Sequence, residues 1–213
     1  MTHHRRRNNG IDPSKINETV ELSPAQRYAA FKQTQAKQRT VAAEFARSMP
    51  FELDEFQMQA NDALEAGDNV LVAAPTGAGK TVAADFAIYL AQTRNVKAFY
   101  TTPIKALSNQ KYHDLVDQYG TDKVGLLTGD TSINSEADIV VMTTEVLRNM
   151  LYEHSVTLEA LRYVILDEVH YLADRFRGPV WEEVIIHLPK NVNIIGLSAT
   201  VSNVEDFSEW KIG

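Results

Sequence analysis

Three observations on this sequence predict an α/β fold, a doubly wound and mostly parallel sheet with helices on both faces. After Pro50, helix-length amphipathic stretches alternate with short continuous apolar runs, the rhythm of strands buried on both sides. One run, Val70-Leu71-Val72-Ala73, passes through a glycine-containing turn directly into the apolar helical pattern Val82, Phe86, Ala87 and Leu90. A later run, Tyr163-Val164-Ile165-Leu166, ends in the adjacent acids Asp167 and Glu168.

Taken in chain order, Met1 to about Ser23 shows little apolar periodicity and much Asn, Arg, Asp and Ser, so a mobile tail is expected there. Ser23-Pro24 offers an N-cap and a first helical position for an Ala-, Gln- and Lys-rich helix over 24–48. Residues 1–48 therefore read as a basic extension and 49–213 as the folded lobe. Asp54 can cap a helix that carries Phe56, Ala60, Ala63 and Leu64 on one face and stops at Gly67. Strands are expected at 70–73, 98–101, 124–127, 139–142, 163–166 and 194–197, with helices starting near Lys80, Ile104, Glu145 and Pro179. No internal repeat or low-complexity segment interrupts them.

Composition narrows the class. With 213 residues, 44% hydrophobic and 23% charged, the chain is close to the globular average, and wholesale disorder, collagen and coiled-coil readings lose support. No apolar run approaches the roughly 18 residues of a membrane span and no secretory signal is visible, so a cytoplasmic location is expected. The absence of cysteine excludes disulfides and thiolate metal sites. Net charge is −7, but residues 1–50 carry nine Lys/Arg against four Asp/Glu, leaving 12 basic and 24 acidic residues beyond. An acidic body by itself argues against nonspecific binding to a polyanion.

The turn after the first strand is Ala74-Pro75-Thr76-Gly77-Ala78-Gly79-Lys80-Thr81. Gly77 and Gly79 let the backbone wrap a phosphate without Cβ clashes, so that N–H groups and the helix start all face negative charge. Lys80 would reach β- and γ-phosphates and Thr81 would ligate Mg²⁺, although Ala74 stands where the usual pattern has its first glycine. Parallel strands end on one edge of a sheet, which brings Asp167 towards that loop to hold Mg²⁺ and leaves Glu168 to polarise an attacking water. Each feature alone also fits a plain turn or a solvated strand end; together they supply positioning, metal and base for cleavage of the ATP γ-phosphate.

These residues, with Asp167-Glu168-Val169-His170 and Ser198-Ala199-Thr200, resemble motifs I, II and III of superfamily-two DExH helicases. Thr101-Thr102-Pro103-Ile104-Lys105-Ala106-Leu107-Ser108-Asn109-Gln110-Lys111, Leu127-Thr128-Gly129-Asp130 and Thr143-Thr144-Glu145-Val146-Leu147-Arg148 extend the match, and Arg177-Gly178-Pro179-Val180-Trp181-Glu182-Glu183 is similar to the superkiller-type RNA helicases, including the actinobacterial HelY group. The resemblance covers about residues 50–210 and implies a RecA-like lobe. It implies that Phe51 stacks on adenine and Gln57 reads its edge, whereas Phe56 reads as core. It further implies that Pro103, Lys105, Gly129, Thr143, Thr144 and Arg148 contact the backbone of single-stranded RNA, with DNA as the alternative polymer, and that a narrow track of this kind coexists with an acidic surface. His170, Ser198 and Thr200 would couple hydrolysis to that track. Trp181 reads as packing.

Complete helicases of this type use a second RecA-like lobe, and motifs IV to VI have no candidate here. The resemblance therefore implies nucleotide binding with slow turnover by this chain, because arginine-type stabilisation from a second lobe is worth roughly 10³–10⁵ in rate. A nucleotide-gated nucleic-acid-binding module without useful turnover is the reading from a different class.

Overall fold

The apolar runs form a seven-stranded sheet in the computed structural model, which describes residues 39–174 and 178–199 together with Ser23 and Lys32. The chain divides into two units, Met1–Thr40 and Val41–Gly213, and the second carries everything below. The expected tail and most of the expected 24–38 helix lie outside the described residues. The continuous helix over 24–48 is interrupted: Arg39 and Thr40 form a turn and bend, and helix α1 (Val41–Ser48) starts afresh. Its start is capped from another element, since the Val41 and Ala42 N–H groups donate to Glu65 Oε1 and Oε2 at 2.9 and 2.7 Å. Phe45 of α1 is buried against Phe86 and Tyr89, so this helix packs with the lobe.

Helix α2 (Glu55–Ala66) begins after Asp54 and ends at Gly67, whose φ of +95° makes the left-handed cap that glycine favours. Its buried face is Gln57, Ala60, Asn61 and Leu64, turned from the expected stripe because two polar side chains lie inward. Strand β1 (Val70–Ala73) then leads to α3 (Thr81–Arg94), β2 (Lys97–Thr102), α4 (Lys105–Tyr119), β3 (Val124–Thr128), β4 (Thr131–Ile133), β5 (Ile139–Thr143), α5 (Thr144–Tyr152), β6 (Leu161–Leu166), α6 (Gly178–His187) and β7 (Asn193–Ser198). All six expected strands are present. The short β4 was not expected, because Thr-Ser-Ile is too brief and polar to stand out as a strand.

Spatial order is β1-β7-β6-β2-β5-β3-β4, parallel throughout except for the β3–β4 hairpin. Period-two alternation divides the sheet's side chains between two cores. Tyr100, Ile139, Tyr163, Ile165 and Ile195 pack beneath α1–α4, while Phe99, Val140, Val164, Leu166 and Ile194 pack beneath α5 and α6. Trp181 is buried in the second core, as expected of a packing residue. Fully burying each such side chain is worth about 1.5–3 kcal/mol, which is what holds the helices on both faces. The parallel arrangement sends the loops after β1, β2, β3, β5, β6 and β7 to one edge. That edge carries the site.

Candidate functional site

The loop following β1 is built by short backbone bonds. Ala74 N–H donates to the Ser198 carbonyl at 3.1 Å, joining the loop's start to the end of β7, and Ala78 N–H donates to Pro75 at 3.1 Å. Gly77 and Gly79 take φ of +87° and +76°, the left-handed values that let successive N–H groups face one concavity. Ala74 is not at positive φ, so alanine is accommodated where the family pattern has glycine. Pro75, Thr76 and Gly77 are exposed at the crest, and Thr81 is exposed at the first residue of α3. Lys80 occupies the α3 N-cap position at 9% exposure and has no hydrogen-bonding partner among the described residues.

Gln57 is employed differently from a free base reader. Its Oε1 accepts the Asp54 N–H at 2.8 Å and its Nε2 donates to the Gly79 carbonyl at 3.0 Å, so it ties the start of α2 to the phosphate loop. Phe51 is 50% exposed, as a stacking platform requires. Phe56, read from sequence as core, is instead 37% exposed, because Gln57 takes the inward position beside it. Phe56 lines a groove of about 620 Å³ that runs with Gln59, Ala60 and Ala63 along β1 to Ala74 and Pro75.

Asp167 and Glu168 follow β6 on the same edge. Asp167 continues the alternation of Tyr163 and Ile165, whose side chains lie on the face covered by α3, the helix that begins at Thr81. Both of its oxygens are held: Oδ2 accepts the Tyr100 hydroxyl at 2.8 Å and Oδ1 accepts the Glu168 N–H at 2.8 Å. Its own N–H donates to the Thr101 carbonyl at 3.0 Å. Burial first, and then the Asp167 charge, push the Tyr100 hydroxyl well above its ordinary range, so it remains a donor. Tyr100 was not among the residues expected at the site; the signal was a tyrosine inside a fully buried strand, whose hydroxyl must find a partner.

Beneath Tyr100, Lys111 Nζ sits 5.0 Å from its ring centroid. Burial raises the Asp85 carboxyl, with Lys111 opposing, and burial with the Asp85 charge pushes Tyr119 up to about 12. Glu168 adopts φ +59°, an uncommon conformation for a non-glycine residue and one that clusters at functional sites. Its Oε2 lies 3.0 Å from His170 Nδ1, outside hydrogen-bonding angles, and that buried nitrogen has no hydrogen-bonding partner among the described residues.

The residues expected to face a nucleic-acid strand sit after β2, β3 and β5, but they are not equally available. Lys105 and Gly129 are exposed and Arg148 is half-buried. Pro103, Thr143 and Thr144 are buried, and the Thr144 hydroxyl donates to the Thr102 carbonyl at 3.2 Å, so these three shape the loops. Lys105 Nζ is engaged by both oxygens of Asp130 at 2.6 Å, an acid that was not counted in the expected set. Arg148 Nη2 donates to Asn149 Oδ1 at 3.1 Å and its Nε lies 3.7 Å from Glu183. Ser198 is buried beside the phosphate loop, whereas Thr200 and Arg177 lie outside the described residues. The glycine loop, the exposed Thr81, the acids Asp167 and Glu168, and the loops after β2, β3 and β5 thus lie along one edge of the sheet.

Comparison with known proteins agrees with this fold. The model of the DEAD/DEAH box helicase family matches residues 54–207. The chain is 62% identical over 166 residues to a probable helicase HelY of Mycobacterium tuberculosis H37Rv, covering 78% of this chain and 18% of that protein. It is 53% identical over 165 residues to the antiviral helicase SKI2 of Saccharomyces cerevisiae, covering 78% of this chain and 13% of that protein. The crystal structure of the DUF1998 helicase MrfA bound to DNA and AMPPNP superposes with a TM-score of 0.65 at 26% identity, covering 78% of this chain and 26% of that one. The chain thus spans less than a fifth of the length of these curated relatives.

Proposed function

This chain belongs to the DEAD/DEAH box helicase family, and from that premise we propose that it is the ATP-binding lobe of an ATP-dependent RNA helicase that works jointly with a second RecA-like lobe. The observation that carries the reading is the strand–loop–helix unit with Gly77 and Gly79 in left-handed conformations, set on the same sheet edge as Asp167 and Glu168. The loop's N–H groups and the start of α3 bind the phosphates, and the unpaired Lys80 supplies a positive charge to them. Phe51 offers a ring face to the base.

Thr81 and Asp167 suit a Mg²⁺ ion, since the threonine is exposed and each Asp167 oxygen accepts one hydrogen bond among the described residues, leaving lone pairs for a ligand. When bound, that ion neutralises phosphate charge. Glu168 orients the water and accepts its proton. Lys105, Arg148 and the backbone around Gly129 bind the polymer by its phosphates without reading bases. RNA is favoured because relatives at 48–53% identity are named RNA or antiviral helicases, including the plant DExH-box ATP-dependent RNA helicases DExH9 and DExH11. The MrfA complex favours DNA as the second reading.

The test is ATP binding and steady-state hydrolysis by this chain without polymer, with single-stranded RNA and with single-stranded DNA, using Lys80→Ala as the blank. Loss of a charge-assisted contact should weaken ATP binding by about 10- to 100-fold in Lys80→Ala. Turnover is expected to be slow and raised more by RNA than by DNA. Equal ATP affinity in parent and Lys80→Ala would overturn the nucleotide assignment, and stronger stimulation by DNA would overturn the polymer.

A further inference from the structure

We infer that Tyr100 is a positioning residue for Asp167: its hydroxyl, delivered from the centre of the neighbouring strand, sets the orientation in which the carboxylate meets the metal. The inference rests on the nucleotide–Mg²⁺ reading above and deepens it. Three contacts define the arrangement. The Tyr100 hydroxyl donates to Asp167 Oδ2 at 2.8 Å, the Glu168 N–H donates to Oδ1 at 2.8 Å, and the Asp167 N–H is anchored on the Thr101 carbonyl at 3.0 Å. A carboxylate with one donor on each oxygen loses its freedom to rotate about the Cβ–Cγ bond, and the lone pairs left over point in set directions. This is how partners outside the ligand sphere tune a metal ligand, by fixing geometry ahead of binding.

Tyr100 is itself held firmly enough to do this. It is 1% exposed, lies on a strand paired on both sides, and has the Lys111 ammonium 5.0 Å from its ring centroid. Lys111 belongs to α4, the helix that opens with Lys105 on the proposed polymer face. The tyrosine therefore joins the metal carboxylate to the element that follows the β2 loop.

The variant is Tyr100→Phe in the full 213-residue chain, which removes one oxygen and keeps the ring. Affinity for a fluorescent ATP analogue is measured with excess EDTA and across a Mg²⁺ series, alongside thermal melting. Tyr163→Phe is the control, since it loses a hydroxyl bonded to Arg94 on the same core face. The expected result is unchanged affinity in EDTA, with the Mg²⁺ midpoint raised about 3- to 10-fold in Tyr100→Phe and unmoved in Tyr163→Phe, at or below the lower end of the roughly 10- to 100-fold typical of such outer partners, because the Glu168 N–H still holds the other carboxylate oxygen. In an Asp167→Asn background, Tyr100→Phe should produce no further shift. An unchanged Mg²⁺ midpoint, or equal weakening with and without Mg²⁺, would overturn the positioning role. Absence of Mg²⁺-dependent binding by the parent would instead overturn the nucleotide reading, and this inference with it.

Discussion

Asn61 sits on the buried face of α2 at 1% exposure, and neither its amide nitrogen nor its oxygen has a partner among the described residues. An unsatisfied buried polar group costs roughly 1–3 kcal/mol, and an apolar side chain of similar shape removes that cost. Asn61→Leu should therefore raise the melting temperature while leaving ATP affinity unchanged; a lower melting temperature would show that the amide is satisfied. The same helix shows how one residue redirects another. Gln57 looked from sequence like a group for the adenine edge, yet its two amide atoms bind Asp54 and Gly79, and Phe56 is turned outwards as a result.

Between α3 and α4, at the scale of elements, the packing encloses a charge. Burial raises the Asp85 carboxyl and the attraction of Lys111 does not fully compensate. A carboxyl whose folded value lies above its unfolded one favours the fold when protonated, and that contribution is lost as pH rises through the folded value. Asp85→Asn, which cannot ionise, should melt above the parent at pH 7, with the difference shrinking as pH falls and gone below about pH 4. A difference independent of pH would contradict this. The hairpin turn between β3 and β4 poses the opposite case, since Asp130 is exposed and occupies Lys105. Asp130→Asn should leave the melting temperature unchanged, because exposed pairs contribute little to stability. It should tighten single-strand binding several-fold at low salt by freeing the ammonium for phosphate, an effect that fades at high salt. Weaker binding would mean that Asp130 itself assists the contact.

Across the lobe, the most consequential packing is that of α1. Residues 41–48 read from sequence as part of a basic extension, but Phe45 is 5% exposed with ring centroids 5.2 Å from Phe86 and 5.4 Å from Tyr89. Phe45→Ala should destabilise the lobe by about 3–5 kcal/mol, the range for a buried phenylalanine lost from a core, visible as a fall in denaturation midpoint. A change under about 1 kcal/mol would return α1 to the extension. The same packing brings Glu65 to the first N–H groups of α1, so helix start and domain edge are set together.

How much of this was legible in the sequence follows from the range of the forces involved. Apolar runs and helical periodicity are local, and they located six strands and the helices between them to within a few residues. The glycine loop was legible because Gly77 and Gly79 sit where only left-handed backbone serves, and Asp167 and Glu168 because a parallel strand delivers its C-terminal residues to one edge. What depended on a partner distant in sequence was not legible. The Tyr100–Asp167 bond spans 67 positions, Glu65 caps a helix 24 positions earlier, and the Lys105–Asp130 pair spans 25. Sequence by itself determined the fold class, the family and the nucleotide loop, because each is carried by contiguous residues with a local geometric demand. Only the tertiary structure decided which of the named side chains are free to meet a ligand and which are already committed to one another, since burial and hydrogen-bond partnership exist only once the chain has closed on itself.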